Sequence, residues 1–182
     1  MSVELEQKLF DAVRAGRVEE VREILEGNPT VDVNWNSSFG WGNLRTACCN
    51  SHEAIISLLL AHPAIDVNQK DTFGKTPLFW GCFEGKAASV RLLLQDQRVL
   101  LDEPSSNGYT PLRCAALNGH HDVIRCWIAS GRDFALGEPG NPKTDAVGAA
   151  RKNGKVEVAE LLERFRDNQE ETRAALSNDT AS

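Results

Sequence analysis

One phrase recurs along this 182-residue chain at a spacing of 34 or 35 residues, and that period narrows the possible folds more than composition does. Its clearest copies are Gly74-Lys75-Thr76-Pro77-Leu78 and Gly108-Tyr109-Thr110-Pro111-Leu112, with Thr76 and Thr110 34 residues apart. Nine residues after each threonine stands a glycine, Gly85 or Gly119, followed by an apolar run, Val90 to Leu94 or Val123 to Ile128. Self-similarity at this period means stacked supersecondary units, each too small to bury its own apolar face and dependent on its neighbours. A stack of this kind presents a long open surface rather than an enclosed pocket.

Weaker copies extend the pattern in both directions. Gly40-Trp41-Gly42-Asn43-Leu44 keeps the glycine and the leucine without Thr-Pro, and Ser51-His52 and Leu58-Leu59-Leu60 follow in step. Upstream, Leu5 to Val13, Gly16 and Val21 to Leu25 hold the same order, and downstream Lys143-Thr144 opens a last unit through Ala149-Ala150, Gly154 and Val158 to Leu162. Five units result, at about 1–36, 37–70, 71–104, 105–138 and 139–167, the first and last acting as caps. The charged helices at 17–26 and 155–167 give those caps the polar outer faces that a soluble array needs. Residues 168–182 lose the pattern; Gln169 to Leu176 could prolong a helix, and the tail is expected to be disordered.

The letters of one unit predict its local structure. The Thr76 hydroxyl caps a first helix, and Pro77 occupies the first helical position, where its missing N–H and fixed φ cost nothing. Leu78, Gly81 and Cys82 form an apolar stripe with small residues that admit a close neighbour. Gly85 ends the helix in a left-handed conformation, and Val90, Leu92, Leu93 and Leu94 pack a second helix before an extended return from Gln95 to Asp102. Each unit therefore reads as helix, turn, helix and projecting loop.

This order of residues resembles the ankyrin repeat. The resemblance rests on Thr76-Pro77-Leu78, on Thr110-Pro111-Leu112 with Ala115-Ala116 and Gly119-His120, and on the connectors Val31-Asp32-Val33-Asn34 and Ile65-Asp66-Val67-Asn68. It implies an all-α solenoid of helix-turn-helix units with projecting β-hairpin-like loops, and a non-catalytic protein-binding module that uses its concave face and loop tips. Carried over position by position, the implied partner-binding residues are Phe39, Trp41 and Asn50; Phe73, Lys75, Phe83 and Glu84; and Asn107, Tyr109, Leu117 and Asn118. Cys49, Arg14, Lys152 and Asn153 stand at the flanking positions. Two other roles stay open: a stoichiometric inhibitor or regulator of an enzyme, similar to short ankyrin-repeat kinase inhibitors, and an array excised or designed from a larger scaffold.

Aromatic residues are 7% of the chain, yet Phe39, Trp41, Phe73, Phe83 and Tyr109 gather at these surface positions, where the repeat's own core does not demand them. Packing against neighbouring loops is the competing explanation. Trp80 and Trp127 are expected in the core, and Trp35 fits either place.

Departures from the family pattern mark where strain is expected. The histidine after Thr-Pro-Leu is replaced throughout, by Phe10, Arg45, Phe79, Arg113 and Val147, which puts hydrogen bonding between repeats through that residue in doubt. Ser51 replaces a glycine expected at positive φ, at a cost on the order of 1 kcal/mol. The second unit, lacking both Thr-Pro and this glycine, is the expected weak point.

Composition and charge exclude several classes. With 26 acidic and 20 basic residues the net charge is -6, and the basic residues after 140 alternate with acids, so no phosphate-tracking stripe forms and nucleic acid is not an expected partner. Apolar stretches are far shorter than the ~20 residues of a membrane span, and no basic-then-apolar leader opens the chain. A cytoplasmic monomer is the expectation, the nucleus being the alternative. Of the five cysteines, none forms a C-x-x-C pair; Cys48, Cys82, Cys114 and Cys126 read as small buried hydrophobes, and Cys49 is the one turned toward solvent. His120-His121 cannot converge on one metal from adjacent helical positions, and no phosphate loop, dinucleotide fingerprint or nucleophile elbow is present. No catalytic residue, metal or cofactor is expected.

Overall fold

Thr-Pro starts and left-handed stops recur along the chain, and the helices they bound are correspondingly short. A computed structural model describes residues 2–179. Within them lie α1 (Ser2–Arg14), α2 (Val18–Gly27), α3 (Asn43–Cys49), α4 (Glu53–Ala61), α5 (Pro77–Phe83), α6 (Ala87–Gln95), α7 (Pro111–Asn118), α8 (His121–Ala129), α9 (Ala146–Lys152), α10 (Val156–Asp167) and α11 (Gln169–Asp179). The first ten pair into five helix-turn-helix units. First helices pack on first helices (α1 on α3, α3 on α5, α5 on α7, α7 on α9), and second helices α2, α4, α6, α8 and α10 form a parallel outer row. Among the described residues no sheet forms; one antiparallel bridge joins Asn36 to Gly42 in a projecting loop. No described helix is long and apolar enough to cross a membrane.

The caps behave as their letters dictate, with two exceptions. Thr76 Oγ1 accepts the Phe79 N–H at 3.2 Å, and Pro77 takes the first helical position. Thr110 makes no side-chain cap although Pro111 follows it. In the last unit the cap moves one residue beyond Thr144 to Asp145, whose Oδ1 accepts the Gly148 N–H at 2.8 Å. At the helix-ending positions Gly85 has φ +70° and Gly119 φ +75°, and Ser51 adopts φ +58°, the left-handed conformation predicted for it.

One continuous core runs through all five units, from Leu9, Val13 and Val21 through Ile55, Ile56 and Leu59 to Leu93, Ile124, Trp127, Leu162 and Phe165. Trp127 is fully buried, as expected, and donates its indole N–H to Cys82 Sγ at 3.3 Å in the preceding unit. Cys48, Cys82 and Cys114 are buried, whereas Cys126, expected with them, is only half-buried, as is Cys49.

Among the described residues, the hydrogen bonds that tie one return loop to the next do not use the replaced histidine position. Asn34 Nδ2 donates to Ala64 O at 2.7 Å while its Oδ1 accepts the Asp66 N–H at 2.8 Å. Asn68, one period on, repeats both contacts, donating to Arg98 O and accepting from Leu100 N, each at 2.8 Å. The Ile-Asp-Val-Asn connector is thus a ladder that ties each return loop to the next.

The tail carries the helix that its sequence allowed at Gln169 to Leu176, where disorder was the wider expectation. Residues 169–179 form α11, which packs on α8 and α10. Asn168 starts it, its Oδ1 accepting the Glu171 N–H at 3.2 Å and its Nδ2 donating to the Glu171 carboxylate. Thr172 and Leu176, one helical turn apart, are buried, so the segment covers apolar surface that the last repeat leaves open. The remaining tail residues, 180–182, lie outside the described residues.

Candidate partner-binding face

Three successive loops close in the same way and so present the same positions. Ser37 N donates to Trp41 O at 3.1 Å, Asp71 N to Lys75 O at 3.0 Å, and Ser105 N to Tyr109 O at 3.0 Å. In each loop the first side-chain oxygen accepts the last residue's N–H: Ser37 Oγ from Trp41 at 3.2 Å, Asp71 Oδ1 from Lys75 at 2.9 Å, and Ser105 Oγ from Tyr109 at 3.3 Å. Phe39, Phe73 and Asn107 consequently share one loop position, and Trp41, Lys75 and Tyr109 another. Neighbouring tips also touch: Ser106 N donates to Phe73 O at 2.9 Å. Gly74 permits that contact, with φ +68° and a position where an added Cβ would lie 2.9 Å from the Ser106 amide nitrogen.

The five aromatics expected at the surface are all exposed, from 36% for Tyr109 and 37% for Trp41 to 39% for Phe83, 59% for Phe73 and 69% for Phe39. They are not independent of one another. Phe39 and Trp41 meet at 5.6 Å between ring centroids, and Phe83 stands edge-on to Trp80 at 5.8 Å. Trp80 is therefore not a core residue. It is half-buried in this face, with its indole N–H on Asp71 Oδ2 at 2.7 Å.

Three cations lie among these rings. The Arg45 guanidinium carbon is 4.3 Å from the Trp41 ring centre and 4.6 Å from that of Trp80. Lys75 Nζ is 4.2 Å from Trp80, 5.3 Å from both Phe79 and Phe83, and 5.6 Å from Phe73. Arg113 repeats the Arg45 arrangement two units on, 4.5 Å from the Tyr109 ring. Each such contact is worth about 0.5–2 kcal/mol depending on desolvation. Two residues that stand where the family pattern has histidine thus hold this face together.

The remaining candidates divide by what they touch. Glu84 and Asn107 are exposed, and Leu117 is half-buried. Asn118 Nδ2 donates to Phe83 O at 3.1 Å and His120 Nε2 lies 2.9 Å from the same oxygen; Asn50 and His52 approach Arg14 O, each at 3.4 Å. Asn50 and Asn118 thus bridge consecutive repeats, a role that the sequence reading did not assign them. At the flanks, Arg14 pairs with Asp11 at 3.1 Å, Asn153 Nδ2 donates to Ala149 O, and Lys152 is exposed.

Burial raises the Cys49 thiol above its ordinary pKa, with Arg45 pulling the other way, and raises Cys114 similarly against Arg113. No cluster of three or more His, Cys, Asp or Glu side chains fit to hold a metal occurs among the described residues. A depression of about 620 Å³ lies elsewhere, on the outer row between α6, α8 and α11, lined in part by Leu94, Cys126 and Leu176. None of the candidate residues lines it.

Comparison with curated proteins returns no match. The family model described as "Ankyrin repeats (3 copies)" matches residues 9–101 and 65–136, the stretch that carries the connector ladder and the aromatic loops. Proteins built from these repeats are generally interaction modules. With the model matched over more than half its length, the chain belongs to the ankyrin-repeat family.

Proposed function

We propose that this chain is a non-catalytic protein-binding module whose concave face and loop tips engage a partner protein. The observation that carries the reading is the exposure of Phe39, Trp41, Phe73, Phe83 and Tyr109 together, five of the eight exposed large hydrophobic side chains among the described residues. Aromatic rings held at a surface are typical anchors of an interface, and truncating one often costs about 2 kcal/mol of binding. A surface of ~800 Å² per partner, the usual size for a specific complex, fits along five repeats.

The test is a triple replacement, Trp41→Ala, Phe83→Ala and Tyr109→Ala, compared with the parent chain in affinity purification followed by mass spectrometry. Partners that the parent recovers should be lost from the variant at an unchanged melting temperature. Equal recovery by both, with the fold intact, refutes this face.

A further inference from the structure

We infer that the concave face selects an acidic segment of its partner, with carboxylates taken by Arg45 and Arg113; this deepens the reading just given and rests on it. The chain as a whole is acidic, with a net charge of -6, so a cation-presenting face is a local property that total charge conceals.

Unpaired charge is the first observation. Seven arginines elsewhere meet a carboxylate: Arg14, Arg17, Arg22, Arg91, Arg98, Arg151 and Arg166. Arg45, Lys75 and Arg113 meet none among the described residues; their neighbours include the aromatic rings of this face. The Nε–H groups of Arg45 and Arg113 are shielded from solvent and donate to no acceptor among the described residues.

Among the described residues no acid of this face forms an ion pair with them. Asp71 accepts from Phe73 N, Lys75 N and the Trp80 indole, and Asp145 accepts from Gly140 N and Gly148 N. Both carboxylates are engaged as structural acceptors. Glu84 is exposed.

Geometry narrows the ligand further. A guanidinium held over an indole or phenol ring is restrained before the ligand arrives, and its planar fork matches a carboxylate through two parallel hydrogen bonds. Arg113 also lines a depression of about 200 Å³ with Lys152, Asn153, Asn141 and Asp145, the Asp145 carboxylate being bonded to Gly140 N and Gly148 N. Arg45 and Arg113 stand at equivalent positions of the second and fourth units, 68 residues apart, with Lys75 amid the rings of the unit between. The occupant is a segment that crosses the repeats, carrying Asp or Glu at both ends of the crossing and apolar groups against Phe83 and Tyr109. A nucleic acid, the other polyanion with faces to stack, is disfavoured by Glu84 and by the absence of a continuous basic stripe.

The experiment selects phage-displayed random dodecapeptides on the full chain and measures enriched peptides by fluorescence anisotropy, with fluorescein-labelled dodecauridylate beside them. Enriched peptides should be net negative, should weaken at least tenfold against Arg45→Gln/Arg113→Gln and severalfold against Arg45→Lys/Arg113→Lys, and should weaken with added salt. Amidating the peptide carboxylates as Asn or Gln should produce the same loss on the parent chain, a readout independent of whether the arginine variants fold. Neutral or basic peptides that depend on Trp41, Phe83 and Tyr109 overturn the acidic ligand while sparing the binding face. Acidic peptides indifferent to both arginines, or tighter binding of dodecauridylate, also overturn the inference. No enrichment, or enrichment indifferent to the arginines and the aromatics alike, overturns both readings.

Discussion

Trp80 donates its indole N–H to Asp71 Oδ2 across 2.7 Å, locking a projecting loop to the first helix of its own repeat. The same carboxylate holds the N–H groups of Phe73 and Lys75, so one side chain sets the conformation of a loop tip and the position of an aromatic ring. Asp71→Ala removes all three hydrogen bonds and is expected to destabilise the chain by about 2 kcal/mol, since hydrogen bonds to charged groups are the stronger kind. Trp80→Phe keeps most of the ring and loses one bond, for about 1 kcal/mol. Urea denaturation measures both, and hydrogen exchange at the Lys75 amide should quicken in each.

The connector ladder predicts a graded pair of variants. Asn68→Ala loses the donor to Arg98 O and the acceptor for Leu100 N, and should cost about 1 kcal/mol at this exposed site. Asn68→Asp retains the acceptor, so its loss should be smaller, and hydrogen exchange should show the Leu100 amide still protected. The chain makes a related substitution itself: Asp102 occupies the next rung, where no donor is available, and burial raises its carboxyl pKa.

The rung that Asp102 cannot supply is filled from the tail. Arg173 donates through Nη2 to Arg132 O at 3.0 Å and through Nε to Ile128 O at 3.3 Å, and lies 5.3 Å over Phe165. Arg173→Ala should release α11 while the repeats stay folded. The expected signature is a roughly tenfold loss of amide protection confined to 169–179, with little change in the main thermal transition.

The repeat was legible because its punctuation is local. Thr76 caps, Pro77 starts and Gly85 stops a helix through contacts within a few residues, and these letters recur in register. The exposure of Phe39 and Phe83 followed from the same register. What escaped depends on partners far along the chain. α11 docks through Arg173, whose acceptors lie 41 and 45 residues upstream, and nothing near Arg173 announces them. Arg45 and Arg113 registered only as missing histidines, because stacking on Trp80 or Tyr109 is a property of assembled loops and helices. Asn50 and Asn118 look like free surface amides until the preceding repeat supplies a carbonyl.

Ser51 is the one described non-glycine residue at positive φ, +58°. Left-handed backbone costs an L-residue about 1–2 kcal/mol, while glycine gives back roughly 0.5–1 kcal/mol through its more flexible unfolded chain. Ser51→Gly should therefore stabilise by about 0.5 kcal/mol, raising the melting temperature slightly. The reciprocal change, Gly85→Ala, should destabilise more than Ser51→Gly gains, because an added Cβ would also meet the His120 ring at 2.6 Å.

Alkaline pH should weaken the fold through its thiols. Burial raises the pKa of Cys48 and Cys82 far above the ordinary thiol value, and raises Cys49, Cys114 and Cys126 in the same direction. A group whose pKa is higher folded than unfolded keeps its stabilising effect below the unfolded value and loses it as pH climbs. Unfolded thiols ionise near pH ~8.5 while the buried ones hold their protons, so the unfolded state binds fewer protons above that point. Stability should be flat in this respect below about pH 8 and fall by up to ~1.4 kcal/mol per pH unit for each wholly buried thiol above it. Urea midpoints compared between pH 7.5 and 10, for the parent chain and for Cys48→Ala/Cys82→Ala, measure the effect. The double variant should start less stable at neutral pH and lose less on going alkaline, and an equal slope in both chains would exclude these two thiols as its source.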